Sequence, residues 1–326
     1  MRIGIVGPQH PDSFADNLMH CLPDLDVQPV ALGTPRMHSQ SARLNQLNDL
    51  ASESVFRWDE RQQRRFAERA IEAECDAILS VTARLLPQTV QLIRGAGIPI
   101  ALWFPDAVSN LGRQLMLAAD YSTVYFKDPE LVRRLRQQTE LSVEYLPEAC
   151  NPAWHRPSGQ GQTTNSVAVV GNMYPSRVRV LDRLLADDIP IALYGSGFPR
   201  WMPQRAIHAH HTGRSVTRDE KARVFQQSRA VLNNLHPAEN GANCRLFEAA
   251  ASGAAILCEH REPIADLFDC ETEIITYESY ADLLVKARRL LADPGFGRTL
   301  GAAASHRALS EHTYQHRLRR ILTDLV

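Results

Sequence analysis

No apolar run in these 326 residues approaches the roughly 20 needed to cross a bilayer, so a spanning helix is not expected. Charge of one sign is also missing: 36 Lys and Arg stand against 37 Asp and Glu, for a net charge of −1. That balance argues against a chain built to coat nucleic acid or an anionic membrane, local basic patches aside. The six cysteines (21, 75, 150, 244, 258 and 270) contain no C-x-x-C pair, and several sit in apolar contexts. They read as reduced, mostly buried thiols rather than disulfides or metal ligands. The N-terminus runs directly into RIGIVG without the segments of a signal peptide, which sets the expectation of a cytoplasmic protein. There is no G-x-G-x-x-G after the first strand, where GPQHPD stands instead, and no Walker A sequence. A dinucleotide-dependent reductase and a nucleoside triphosphatase are therefore disfavoured. His208, His210 and His211 have no standard zinc spacing and no nearby acidic or Cys partner, so no metal site is expected there. His306, His312 and His316 read as ordinary surface positions.

What the chain does have is length for two domains and the composition of a globular protein, with 44% hydrophobic and 22% charged residues. Apolar runs of strand length alternate with amphipathic stretches. RIGIVG, DVQPVALG (weakened by Pro29), CDAILSV, IPIALWF, STVYFKD and SVEYLP read as strands in the first half. A helix capped by Asp12 or Ser13 follows the first of them, and Thr34–Ser54 reads as loop or weak helix. ERQQRRFAERAIEAE reads as a surface helix whose Arg run is a solvated face, with Phe66 and Ile71 inward. The second half repeats the pattern from SVAVVG onward, including a helix after Thr217 and Glu220, a capping-box pair. The fold class expected is α/β, with two Rossmann-like doubly wound domains facing each other across a cleft. The Pro, Gly, Ser and Gln cluster at 156–165 reads as the linker. The expected domains are 1–157 and 166–310. For 311–326, a C-terminal helix, packing back on the first domain is one option.

Candidate site residues concentrate between Val231 and Glu259, which reads strand, polar loop, short Ala-rich helix, strand. The loop carries Asn240, Gly241 and Asn243, and the first helical turns carry Arg245 and Glu248. Polar side chains there meet the unsatisfied N–H groups and positive end of a helix, a setting for an anionic ligand. Two further loops follow strands: Gly171-Asn172 with Arg177 just beyond, and Gly195-Ser196-Gly197. In open parallel sheets such loops share the carboxyl rim where ligands bind. Arg177 suits a diphosphate. Glu248, in a tightly packed apolar helix, suits the two hydroxyls of a ribose rather than a mere dipole-favoured surface position. In the first half, His10 follows RIGIVG and Asp106 follows IPIALWF, as candidates for catalysis or for simple turn capping. Trp103 and Phe104 give Asp106 an apolar neighbourhood suited to stacking a sugar.

VVGNMYPSRVRVL, YGSG, HPAENGANCRLFEAAASGAAIL and the terminal HTYQHRLRRIL resemble the spore-maturation-type (CgeB-like) glycosyltransferases, a branch related to glycosyltransferase family 4. TVYFKDPELVRRLRQQTELSVEYLPEACNPAWHRP is similar to that branch's first domain. The resemblance implies a GT-B fold and metal-independent transfer, with no cofactor beyond the nucleoside diphosphate sugar that acts as co-substrate. It places Glu248 as the ribose ligand, Arg177 on the diphosphate, and Asn243 and Arg245 in the donor site. Family 4 commonly carries a first Glu eight residues before the ribose Glu. Asn240 stands there here, with Glu239 one position off. The family's His after the strand that ends at Trp103-Phe104 is replaced by Asp106.

The activity expected is transfer of a sugar from a nucleoside diphosphate donor, with retention of configuration by resemblance. A nucleotide-sugar epimerase of the same fold and a non-catalytic nucleotide-sugar-binding protein are the rival readings. The loops on the acceptor side (10–16, 34–54, 106–113) hold no readable motif, which leaves glycan, protein, metabolite and modified nucleic acid open as acceptors.

Overall fold

The structure, a computed structural model, describes residues 1–36, 42–108, 111, 113–159, 161 and 163–325. The chain forms two compact units, Met1–Pro147 with Tyr314–Val326, and Glu148–Thr313.

The first unit is built on six parallel strands: β1 (Arg2–Val6), β2 (Gln28–Gly33), β3 (Ala77–Ser80), β4 (Ile100–Phe104), β5 (Thr123–Phe126) and β6 (Val143–Tyr145). Their order is β2-β1-β3-β4-β5-β6. β3, β4 and β5 are buried along their whole length, as unbroken apolar runs predict. β2 takes the edge, where a strand tolerates Pro29. The helix Phe14–Cys21 is capped by Ser13, whose hydroxyl accepts the Asp16 N–H at 3.1 Å; Asp12 lies before the cap at φ +65°. Ala42–Ser54 is a full helix, and residues 37–41 of the stretch read as loop or weak helix fall outside the described residues. Phe56–Glu72 buries Phe66 in the core.

The C-terminal helix Tyr314–Leu325 belongs to this unit. The Tyr314 ring meets Phe14 and Trp103 at centroid distances of 5.5 and 5.9 Å. Tyr125 donates its hydroxyl proton to Asp324 at 2.7 Å, and Arg320 pairs with Glu144 at 2.7 Å.

The second unit has five parallel strands, β7 (Val167–Val170), β8 (Ile191–Tyr194), β9 (Ala230–Asn233), β10 (Ile256–Glu259) and β11 (Ile275–Tyr277), ordered β11-β10-β9-β7-β8. Alternation along the strands fills both faces. Val167, Val169, Leu193, Leu232 and Leu257 enter one core, and Ala168, Val170, Val231, Ile256 and Cys258 enter the other. Both sheets place their first strand between their second and third. The direction of winding therefore reverses between β1 and β3, and between β7 and β9.

The described residues of 156–165 lie inside the second unit, and the chain passes between units at Pro147 and Thr313. The reason is local bonding. Cys150 N–H donates to the His312 carbonyl at 3.0 Å, and the Gln226 amide ties Arg156 and Ser158 at 2.8 and 3.2 Å. His312 is correspondingly a buried residue rather than a surface one, with its Nε2 2.8 Å from the Leu267 carbonyl and its ring against Phe247 and Phe268. All six cysteines are free thiols. Among the described residues no helix is long and apolar enough to cross a membrane.

Candidate functional site

The parallel pairing of β7 with β8 places two loops side by side at the carboxyl edge of the second sheet. Gly171 follows β7 at φ +126°, and Gly195 follows β8 at φ +122°. A Cβ on Gly195 would stand 2.6 Å from the Gly171 carbonyl oxygen, so the two loops touch backbone to backbone. A Cβ on Gly171 would overlap the Arg245 guanidinium and lie 3.5 Å from Arg177 Nη1. Both cations thus approach the bare Gly171 backbone on the side that a Cβ would fill.

Arg177 is only 3% exposed. It enters the site from the helix Pro175–Ala186. Its Nε and Nη2 donate to the side-chain and backbone oxygens of Asn234, each at 2.8 Å, and Nη1 donates to the Asn172 carbonyl at 2.7 Å. The Tyr174 ring lies 4.4 Å below the guanidinium, and the Tyr174 hydroxyl donates to the same Asn234 carbonyl at 2.8 Å. All three acceptors are neutral. Burial, and then the charge of Arg245, push Arg177 down to about 10.

Arg245 comes from the first turn of the helix Cys244–Ala251. Its Nε is buried without an acceptor, and among the described residues no carboxylate pairs with it or with Arg177. Two guanidiniums without a counter-charge, beside exposed loop backbone, form a cradle for an anion with several oxygens.

The remaining candidates of this unit fall around that cradle. Asn243 is the N-cap of the same helix, its Oδ1 accepting the Leu246 N–H at 3.3 Å, so its side chain has a structural duty. Glu248 is 3% exposed, one turn further on, and accepts the Lys221 ammonium at 2.7 Å. Among the described residues no other hydrogen bond reaches this carboxylate. Asn172 and Ser196 are exposed and joined by a 2.9 Å hydrogen bond between the β7 and β8 loops. Asn240 is half-buried and Gly241 buried in the loop that precedes the Asn243 cap.

Residues 177–323 match the family model described as glycosyl transferase-like. Among solved structures, sucrose-phosphate synthase from Thermosynechococcus elongatus is similar over 99% of this chain and 97% of its own, at TM-score 0.69 and 12% identity. The Anabaena protein HepE, solved in complex with UDP-glucose, is similar over 100% of both chains, at TM-score 0.68 and 13% identity. AviGT4, a glycosyltransferase involved in avilamycin A biosynthesis, covers 99% of this chain with 96% of its own, at TM-score 0.62 and 15% identity. The fold is GT-B. No curated protein matches the chain in sequence. The matched stretch 177–323 includes Arg177, Lys221, Asn234, Arg245 and Glu248.

Two residues of the cradle escaped the sequence reading. Asn234 holds Arg177, and its signal was a pair of amides closing the apolar run VLNNL. Lys221 holds Glu248 from the helix Arg218–Gln227. Its signal was the i, i+4 spacing to the buried Phe225, which puts Lys221 on the inward face. Thr217 precedes that helix, but its side chain makes no cap bond, and Arg218 enters at φ +48°. His208 is stacked on Phe198 at 3.8 Å, and its Nδ1 accepts the Arg205 N–H at 3.0 Å.

In the first GT-B unit, His10 and Asp106 are both exposed at the carboxyl edge of the sheet, after β1 and β4, with β3 between those strands. The same edge holds a cavity of about 440 Å³ whose lining includes Arg36, Glu53, Arg84 and Arg113. Arg36 is buried and donates to Asp59 at 2.9 and 3.1 Å.

Proposed function

We propose that this protein is a glycosyltransferase that takes a sugar from a nucleoside diphosphate donor held by the second unit. The observation that carries the reading is the pair Arg177 and Arg245, two cations without a protein counter-charge beside the bare backbone of Gly171. A departing diphosphate develops negative charge as the glycosidic bond breaks. Donors already fixed around that position stabilise it without reorganisation. The two guanidiniums supply the charge that a metal ion supplies elsewhere, so transfer proceeds without one. Glu248, held by Lys221, accepts the ribose hydroxyls. The UDP-glucose complex of HepE supports a uridine donor.

On the acceptor side, the cavity lined by Arg36, Glu53, Arg84 and Arg113 receives the nucleophile. His10 and Asp106, on the same edge, are the groups to orient it or take its proton. The resemblance to family 4 supports retention of configuration.

Incubation with a panel of nucleoside diphosphate sugars in the presence of a chelator tests the proposal. Slow release of nucleoside diphosphate from one donor is expected, with acceleration once an acceptor is supplied. Epimerised donor would replace this reading with an epimerase, and tight binding without any turnover would replace it with a sensor.

A further inference from the structure

The helix Ala42–Ser54 has its polarity reversed. Its inner side is polar: Asn48 Nδ2 donates to Gln62 at 3.0 Å, Gln62 donates to Ser52 Oγ at 3.0 Å, and the Trp58 indole donates to Asn48 at 2.9 Å. Asp49, on the same helix, reaches Arg36 at 3.5 Å. The outer side is apolar. Leu44, Leu47 and Leu50 are 57%, 63% and 63% exposed and, three residues apart, form one stripe. Val55, Phe56 and Trp58, each close to half exposed, extend it across the start of the next helix. A helix that faces water carries its apolar residues inward, so this patch is built to be covered.

Charge selects the cover. Between residues 43 and 69, Arg43, Arg57, Arg61, Arg64, Arg65 and Arg69 are exposed, against exposed Glu53, Glu60 and Glu68. A second copy docked across a two-fold axis would set this basic surface against itself. A stripe of Leu with Phe and Trp at one end and Arg around it is the make-up of a helix lying among anionic headgroups. We propose that residues 42–58 dock the protein peripherally on an anionic lipid surface.

The test is co-sedimentation of the full chain with vesicles of phosphatidylcholine alone and with added phosphatidylglycerol. The parent protein should pellet with the anionic vesicles, and added salt should release it. Leu47→Gln with Leu50→Gln should lower the partition about tenfold or more, with an unchanged melting temperature because neither residue is in the core. Arg57→Glu with Arg61→Glu should abolish the preference for anionic vesicles. Absence of binding to either vesicle, equal binding to both, or an unchanged partition of the Leu47/Leu50 variant would overturn the proposal. Concentration-dependent self-association that the same leucine pair abolishes would assign the face to a second copy instead.

Discussion

Replacing Arg245 by Met separates binding from folding. The parent guanidinium has a buried Nε without an acceptor and stands beside a second cation, Arg177. An unsatisfied buried donor costs about 1–3 kcal/mol, and Met keeps most of the side-chain volume without the donor or the charge. Arg245→Met should therefore leave the second unit as stable as the parent or more so, by about 1 kcal/mol, a rise of about 2–4 °C for a domain of this size. The site should fare the opposite way. Loss of one fixed donor to a developing anion lowers turnover by about 100- to 1,000-fold, or roughly 2.7–4 kcal/mol. Differential scanning calorimetry and release of UDP from UDP-sugar, on the same preparation, measure both sides. A variant that melts several degrees lower, or one that turns over at the parental rate, would refute the reasoning. The first outcome would make Arg245 a packing residue, and the second would remove it from the site.

Gly195→Ala should destabilise the second unit by about 2–5 kcal/mol, because φ is +122° and the added Cβ meets the Gly171 carbonyl at 2.6 Å; urea unfolding measures it. Lys221→Met leaves Glu248 as a buried, unpaired carboxylate and should cost about 3–5 kcal/mol, whereas Lys221→Met with Glu248→Met should recover most of that stability but not donor affinity. Affinity for UDP should fall as pH rises through about 10, where unliganded Arg177 loses its proton. Over the same rise Arg177's contribution to folding stability should increase, since the unfolded chain then holds the extra proton; titration calorimetry and unfolding at paired pH values check both signs. Truncation after Thr313 removes Tyr314, Leu318 and Ile321, all buried, and should lower the stability of the first unit by about 5 kcal/mol, seen as a shifted or lost transition in a thermal scan.

The sheets were legible because a parallel strand buried on both faces is a short unbroken apolar run, and RIGIV, IALWF and VAVV are that. The glycines and arginines of the second half were legible because strand-end loops converge wherever a parallel sheet forms. What stayed hidden depends on which side chains meet in space. Lys221 lies in a helix rich in charge and reads as solvated until Phe225 fixes its inward direction. Thr217 and Glu220 have capping-box spacing, but the positive φ of Arg218 turns the chain away from that geometry. Residues 156–165 have linker composition, yet their bonds to Gln226 hold them in the second unit. Ala42–Ser54 was hard to read because its leucines face outward and its amides inward, the reverse of the pattern that marks a surface helix.

The central claim, that the Arg177 and Arg245 cradle holds the diphosphate of a nucleotide donor, is tested most directly by titration calorimetry with UDP, UMP and uridine on the parent protein. The account predicts that UDP binds, that affinity falls by about tenfold or more on loss of the second phosphate, and that uridine alone binds weakest. Equal affinity for UDP and uridine, or no UDP binding at all, would contradict it.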